Sequence, residues 1–373
     1  MEETKTIARN CDVQIENVEV TACTIPTDAP ESDGTLEWDQ TTIVLVEITA
    51  EGVTGLGYTY GYPAAAAIIR DELADVVRAM NPFDIPACWR AMTTAVRNDG
   101  DTGLCRMAIS AVDGALWDLK AKLLELPLAR LLGAERDEVP AYGSGGFTSY
   151  ALEQLQAQLG GWAQEGFSMV KMKIGREPAE DPRRIQAARE AIGEQVSLFV
   201  DANGAYDIKQ ALALAGSFPG WGVSWYEEPV WHDDLDGLHL VRQTLPRGVE
   251  VSVGEYGFNI DDFRRILRAE AADVLQADAT RCGITGFLQA ATLCLAHHLP
   301  LSSHCAPSLH LPVCCAAPCV RHMEYFHDHV RIEHMLFDGA ATAEQGMLRP
   351  DLDRPGLGLE LKPDQVRQYQ VKF

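Results

Sequence analysis

The chain has 373 residues, with 54 acidic against 31 basic side chains and a formal net charge of −23. Such a surface repels nucleic acid and anionic membranes, so neither is an expected partner. Hydrophobic residues make up 47% of the chain, which excludes wholesale disorder and allows a large packed core.

The opening Met1–Asn10 is polar and charged, without the apolar segment of a secretion signal. No apolar run reaches the roughly 18 residues of a membrane span. Ten cysteines in such a chain read as reduced thiols, and the expected location is cytoplasmic.

From Val13 to about Ile48 the chain reads as strand, because Val18–Thr24 and Thr41–Thr49 are rich in β-branched residues. Pro26–Thr35 between them reads as a loop by composition. A glycine-rich turn follows at Gly52–Gly57, then helical patterns over Ala64–Met80 and Ile85–Val96. Gly103–Leu132 reads as one long helix stopped by Gly133. Together these predict an α+β unit over residues 1–135.

After Val139 short apolar segments alternate with helical ones. The predicted strands are Val139–Tyr142, Met169–Ile174, Ser197–Asp201, Ser224–Glu227, Glu250–Gly254, Val274–Ala277, Leu301–Ser303 and Arg321–Glu324. Asp207 and Ile260 stand where intervening helices begin. This rhythm predicts an α/β fold, a closed parallel (β/α) barrel of the TIM type over residues 136–335. An open doubly wound sheet is the alternative, but the first strand–helix turn has no Gly-x-Gly-x-x-Gly. The tail 336–373, punctuated by Gly and Pro, is predicted to pack back on the first unit as part of a capping domain.

Active sites of such barrels lie at the C-terminal strand ends. Here almost every predicted strand ends in an ionisable residue. Strand two carries Lys171 and Lys173, whose spacing of two puts both on one face. Strands three to eight lead to Asp201, Glu227, Glu255, Asp278, His304 and Glu324. Singly, each has an ordinary explanation as a helix cap or a structural histidine. Recurrence at one end of successive strands is what points to a site.

Asp201, Glu227 and Glu255 come from adjacent strands, and three carboxylates without thiolate or imidazole suit a hard cation such as Mg²⁺. Without one they would repel each other. Lys173 and His304 are expected on opposite sides of the barrel mouth, with Asp278 orienting the imidazole. Lys171 is expected to depress the pKa of Lys173 by like-charge repulsion. Glu324 is expected to donate to a developing enolate oxygen if its own pKa is raised. A zinc site from Cys305, His310, Cys314, Cys315, Cys319, His322, His327 and His329 is disfavoured, since no zinc-type spacing occurs and Cys314, Cys315 and Cys319 fall in an apolar helical stretch.

These residues resemble the enolase superfamily, specifically its mandelate racemase subgroup. The resemblance spans nearly the whole chain: Ala111–Lys122, Lys171-Met-Lys173, Asp201-Ala-Asn203, Glu227-Glu228-Pro229, Gly254-Glu255, Asp278–Gly283, Ser302-Ser-His304 and Glu324. It implies that Asp201, Glu227 and Glu255 bind one Mg²⁺ and that Glu228 is structural. Lys173 and the His304–Asp278 dyad would be the two acid/base groups, with Lys171 and Glu324 stabilising the enolate. Asn203 and Arg281 are candidate substrate contacts. Capping loops at Thr24–Trp38 and Tyr58–Pro63 would select a small carboxylate substrate, in a homodimer or homo-octamer. Two departures stand out. Arg281-Cys282-Gly283 has one glycine where the family usually has two, which puts the registration of Asp278 against His304 in question. Glu125 replaces a frequent glycine, a change expected to matter only for packing.

Three functions follow in order of preference. The first is dehydration of an acid sugar (aldonate or aldarate) to a 2-keto-3-deoxy acid. The second is racemisation or epimerisation of a 2-hydroxy acid. The third is a catalytically silent barrel that only binds. Cycloisomerases are set lower, because those relatives use a second lysine after strand six, where this chain reads Asp278-Ala-Thr-Arg281.

Overall fold

The computed structural model describes residues 13–373; the polar opening Met1–Asn10 lies outside them. Three antiparallel strands, β1 (Asn17–Ser32), β2 (Glu37–Ala50) and β3 (Val53–Tyr60), form a sheet completed by Gln370–Val371 beside β1. The tail thus returns to the first unit, while Met347–Leu348 pairs with the first barrel strand.

Pro26–Thr35 is not a loop. β1 continues to Ser32, its register shifts between Pro26 and Glu31, and Glu31 pairs with Trp38 across a tight turn. The bulge absorbs two prolines that cannot donate to the ladder. The Asp33 carboxylate accepts from the amides of Thr35 and Leu36 and fixes the turn.

The helix Gly103–Leu123 packs across this sheet. Contact is so close that a Cβ on Gly57 would lie 2.2 Å from the Ala111 carbonyl oxygen. Backbone cannot yield as a flexible side chain can, so Gly57→Ala is expected to destabilise the fold by about 3 kcal/mol or more, as severe overpacking does. Chemical denaturation measures this, and an unchanged midpoint would contradict the packing. The predicted single helix to Leu132 breaks after Leu123 and resumes at Leu128–Leu131. Pro127 forbids continuation, and Glu125 takes φ +55°. The glycine common at this position is therefore a backbone requirement, not a packing one.

Eight parallel strands follow: β4 (Val139–Gly145), β5 (Met169–Lys173), β6 (Ser197–Asp201), β7 (Val223–Glu227), β8 (Glu250–Val253), β9 (Val274–Ala277), β10 (Leu301–Ser303) and β11 (Val320–Phe326). Each pairs with the next, and β11 pairs with β4, closing the barrel. Tyr142, Phe199, Trp225 and Val274 form a layer inside it. Asp207 caps its helix with a capping box, and Asn259 caps the helix that starts at Ile260. Among the described residues, no helix is long and apolar enough to cross a membrane.

The first unit grips the barrel near its mouth. Asp113 accepts from the Thr285 amide and hydroxyl at 2.9 and 2.6 Å, and Thr59 donates to the Thr280 carbonyl at 2.6 Å. Gly283, at φ +74°, interrupts the helix Ala279–His297 where Asp113 and Trp89 leave no room for a side chain. One glycine suffices for this turn, and Asp278 and His304 stay in contact.

Candidate active site

The barrel mouth opens into a cavity of about 520 Å³ roofed by the first unit. Its floor includes Lys173, Asn203, Glu255, Asp278, Arg281, His304 and Glu324; its roof includes Trp38, Gln40 and Tyr60. Gly34 in the β1–β2 turn fits so tightly over the ends of β5 and β6 that a Cβ there would lie 2.4 Å from the Ala202 carbonyl oxygen.

Strand geometry brings the predicted acids together. Oxygens of Asp201, Glu227 and Glu255, all buried, lie within 4.8 Å of one another. Glu255 Oε2 has no hydrogen-bond partner, although His304 Nε2 lies 3.3 Å away without bonding geometry. Six buried carboxylates (Asp201, Glu227, Glu228, Glu255, Asp278 and Glu324) converge here. Lys171, Lys173 and Arg281 oppose them, and even a protonated His304 leaves a deficit of two positive charges. The stress is visible at Glu227: burial and the Asp201 charge push its pKa up to about 8. Glu228, which turns at φ +38° with an unpartnered Oε1, is also pushed up, by burial and by Glu255. An all-carboxylate donor set short of two charges fits a hard divalent cation.

Lys171 lies beneath the cavity floor, fully buried, donating to Glu227 at 2.6 and 2.8 Å and 2.8 Å from Glu324. Lys173 Nζ is 2.5 Å from Asp201. Its expected pKa depression is reversed in this arrangement. Burial and Lys171 do lower it, but Asp201 outweighs them and holds the ammonium form. The expectation for Glu324 is reversed too. Burial raises its pKa, but Lys171 and His304 outweigh this and keep it a carboxylate. As such it accepts from Ser144 Oγ at 2.6 Å and the Cys305 amide at 2.7 Å rather than donating.

His304 Nδ1 donates to Asp278 Oδ2 at 2.9 Å. Burial lowers the imidazole pKa, but Glu255 and Asp278 raise it on balance. Asp278 stays well below the usual carboxylate range: burial opposes this, and its bond to His304 drives it. Asp278 Oδ1 also caps the Thr280 amide at 2.7 Å, which fixes the carboxylate. Arg281 donates to the Glu255 carbonyl at 2.8 Å and lies over the Tyr256 ring. The Asn203 amide donates to Asp201, and its side-chain oxygen is buried without a partner.

Cys305 Sγ lies 3.3 Å from His304 Nε2 at the site, whereas most of the other histidines and cysteines disperse. His322 meets Ser302 inside the barrel, His310 accepts from the Ala279 amide, and His327 pairs with Asp28 of β1. Cys314 and Cys315 are buried in the helix Pro307–Ala316. Tyr60 and His329 stack at 3.5 Å in the cavity wall; the sequence offered His329 only as a member of the disfavoured zinc set. The only signal for Tyr60 was its position in the Tyr58–Pro63 loop.

Comparison with known proteins agrees with this geometry. Residues 17–133 match the mandelate racemase/muconate lactonizing enzyme N-terminal domain, and residues 154–365 the enolase C-terminal domain-like family. The chain is 32% identical to L-talarate/galactarate dehydratase of Salmonella typhimurium, over 98% of this chain and 93% of that protein. That enzyme's structure, liganded with Mg and L-lyxarohydroxamate, superposes with a TM-score of 0.90 at 30% identity, covering 99% and 95% of the two chains. D-galactarolactone cycloisomerase of Agrobacterium fabrum is 31% identical over 92% and 95%. A mandelate racemase/muconate lactonizing enzyme-like protein from Rubrobacter xylanophilus superposes at TM-score 0.94 with 53% identity, covering 96% and 100%.

Proposed function

The chain belongs to the mandelate racemase/muconate lactonizing enzyme family of the enolase superfamily, and from that premise we propose that it dehydrates an acid sugar. It removes the proton α to the carboxylate and expels the β-hydroxyl, giving a 2-keto-3-deoxy acid. The observation that carries this reading is the cluster of Asp201, Glu227 and Glu255 facing Lys173 and the His304–Asp278 dyad in one cavity.

Asp201, Glu227 and Glu255 would hold Mg²⁺, which supplies positive charge where the enolate oxygens develop theirs. Lys173 acts as base only when free of Asp201. With Asp201 among the residues that would hold the cation, its ion pair with Lys173 would be weaker, and repulsion from Lys171 would lower the amine's pKa. Lys171, fixed between Glu227 and Glu324, places a positive charge beneath the cavity floor. His304, oriented by its bond to Asp278, delivers a proton to the departing hydroxyl from Nε2. Asn203 and Arg281 line the cavity where they can orient the substrate.

The same two groups could return a proton to the α-carbon, which is epimerisation, and this second reading rests on Lys173 and His304 both facing the cavity. A cycloisomerase relative at similar identity keeps that reaction open as well. A screen of acid sugars with Mg²⁺, read as 2-keto acid by semicarbazide absorbance, separates them. Keto acid formation that EDTA abolishes is the expected result. Loss of activity in EDTA should be essentially complete and restored by Mg²⁺. Turnover insensitive to EDTA would contradict the ligand assignment, and exchange without keto acid would favour epimerisation.

A further inference from the structure

We propose that the preferred substrate is a monocarboxylate polyol, an aldonate, and that the cavity roof rejects a second carboxylate. The inference rests on the acid-sugar reading above and narrows it. With the reacting carboxylate drawn to the charged floor, the substrate tail must project toward the capping unit. From Thr24 to Tyr62 that unit contains no lysine or arginine. Of the acidic residues in its cavity wall, Asp33 caps the hairpin turn and Glu37 pairs with Arg176, which leaves Asp39 without a salt bridge among the described residues. Arg176, beside the roof, is taken by Glu37 at 2.9 Å. Arg281 lies on the floor with the reacting end, where Glu255 and Asp278 at 3.6 and 3.8 Å oppose its charge. A tail carboxylate would therefore find no unpaired cation in the roof and would meet the Asp39 carboxylate.

What the wall does offer is neutral and suited to hydroxyls. Tyr60 is 8% exposed, lines the cavity, and its phenol oxygen has no hydrogen-bond partner. A buried hydroxyl left unpaired is costly, so a ligand group that bonds it gains that energy. His329 stacks on Tyr60, and its Nδ1 accepts from the Ala306 amide at 3.3 Å. Its ring hydrogen is then on Nε2, and the ring is uncharged. Tyr60 and His329 together form a polar, uncharged subsite that recognises the alcohols of a sugar chain but cannot neutralise an anion. The dehydratase relative is named for galactarate, a diacid; the roof described here favours the monoacid instead.

The test pairs each aldonate with the aldarate of the same configuration (galactonate with galactarate, gluconate with glucarate, and so on through the hexose series). Turnover and α-proton exchange are measured on the Mg²⁺-loaded enzyme. The expected result is a kcat/KM at least about tenfold higher for the aldonate of the productive pair. The double variant Glu37→Gln/Asp39→Asn, which frees Arg176 and removes the Asp39 charge, should narrow that ratio by about two- to tenfold. Tyr60→Phe should raise KM for the aldonate by about two- to tenfold with a smaller change in kcat. Equal or faster turnover of the aldarate overturns the proposal, and an unaltered ratio in the double variant removes the roof as its cause. Absence of exchange with every member of both series would overturn the acid-sugar reading itself, a failure distinct from a preference for the diacid.

Discussion

Glu227→Gln is expected to abolish Mg²⁺-dependent turnover, a loss on the order of 10³-fold or more. Glu227 is fully buried at the end of β7, and both its oxygens accept from Lys171, while Trp225 Nε1 donates to Oε2 at 3.0 Å. Glutamine keeps the shape but removes one of three negative ligands. It also turns an amide NH₂ toward the Lys171 ammonium, which has no other way to move. The affinity for Mg²⁺, measured by calorimetry, should fall together with kcat. Loss of Mg²⁺ affinity together with kcat separates a ligand from a structural glutamate; the metal-free variant is also expected to lose stability, because the buried Lys171 ammonium loses a carboxylate that accepts from it twice. Full activity in this variant would sink the assignment.

His304→Asn should stop net turnover, by about 10²- to 10⁴-fold, while leaving α-proton exchange by Lys173 in place. Asparagine can still reach toward Asp278 but carries no titratable proton. If Lys173 is the base and His304 the acid, the variant forms the enolate, cannot assist the leaving hydroxyl, and returns the α-carbon's hydrogen from solvent. Deuterium incorporation without keto acid is the signature, followed by proton NMR in D₂O. Loss of exchange as well as turnover would make His304 the base. Normal turnover would mean that the dyad takes no part in the chemistry.

The barrel was legible because its strands are buried on both faces. Such strands read as short apolar runs, and Ser197–Asp201, Val274–Ala277 and Leu301–Ser303 are found with the predicted bounds. The candidate site was legible for a related reason: a charged residue that ends an apolar run has little to do except face the barrel mouth. The β1–β2 hairpin was not, since Pro26 and Pro30 signal a loop, and only the bulge between Pro26 and Glu31 reconciles them with strand pairing. The break at Glu125 was hidden because a left-handed φ leaves no mark on a non-glycine residue. The charge states of Lys173 and Glu324 were also misread. Spacing gave Lys171 as the near neighbour of Lys173, but Asp201, across the β5–β6 pairing, lies closer and decides the sign. Tyr60 and His329 belong to different units, and only the folded chain brings their rings together.

The central claim is that this chain labilises the proton next to a carboxylate with the help of a divalent cation. The most direct measurement incubates acid sugars with the protein in D₂O, with Mg²⁺ or with EDTA, and follows the α-position by NMR and mass spectrometry. The account predicts that at least one acid sugar exchanges or loses its α-proton with Mg²⁺, and that none does so in EDTA or with Lys173→Ala. Exchange that persists in EDTA, or inert substrates throughout in protein shown to bind Mg²⁺, would contradict it.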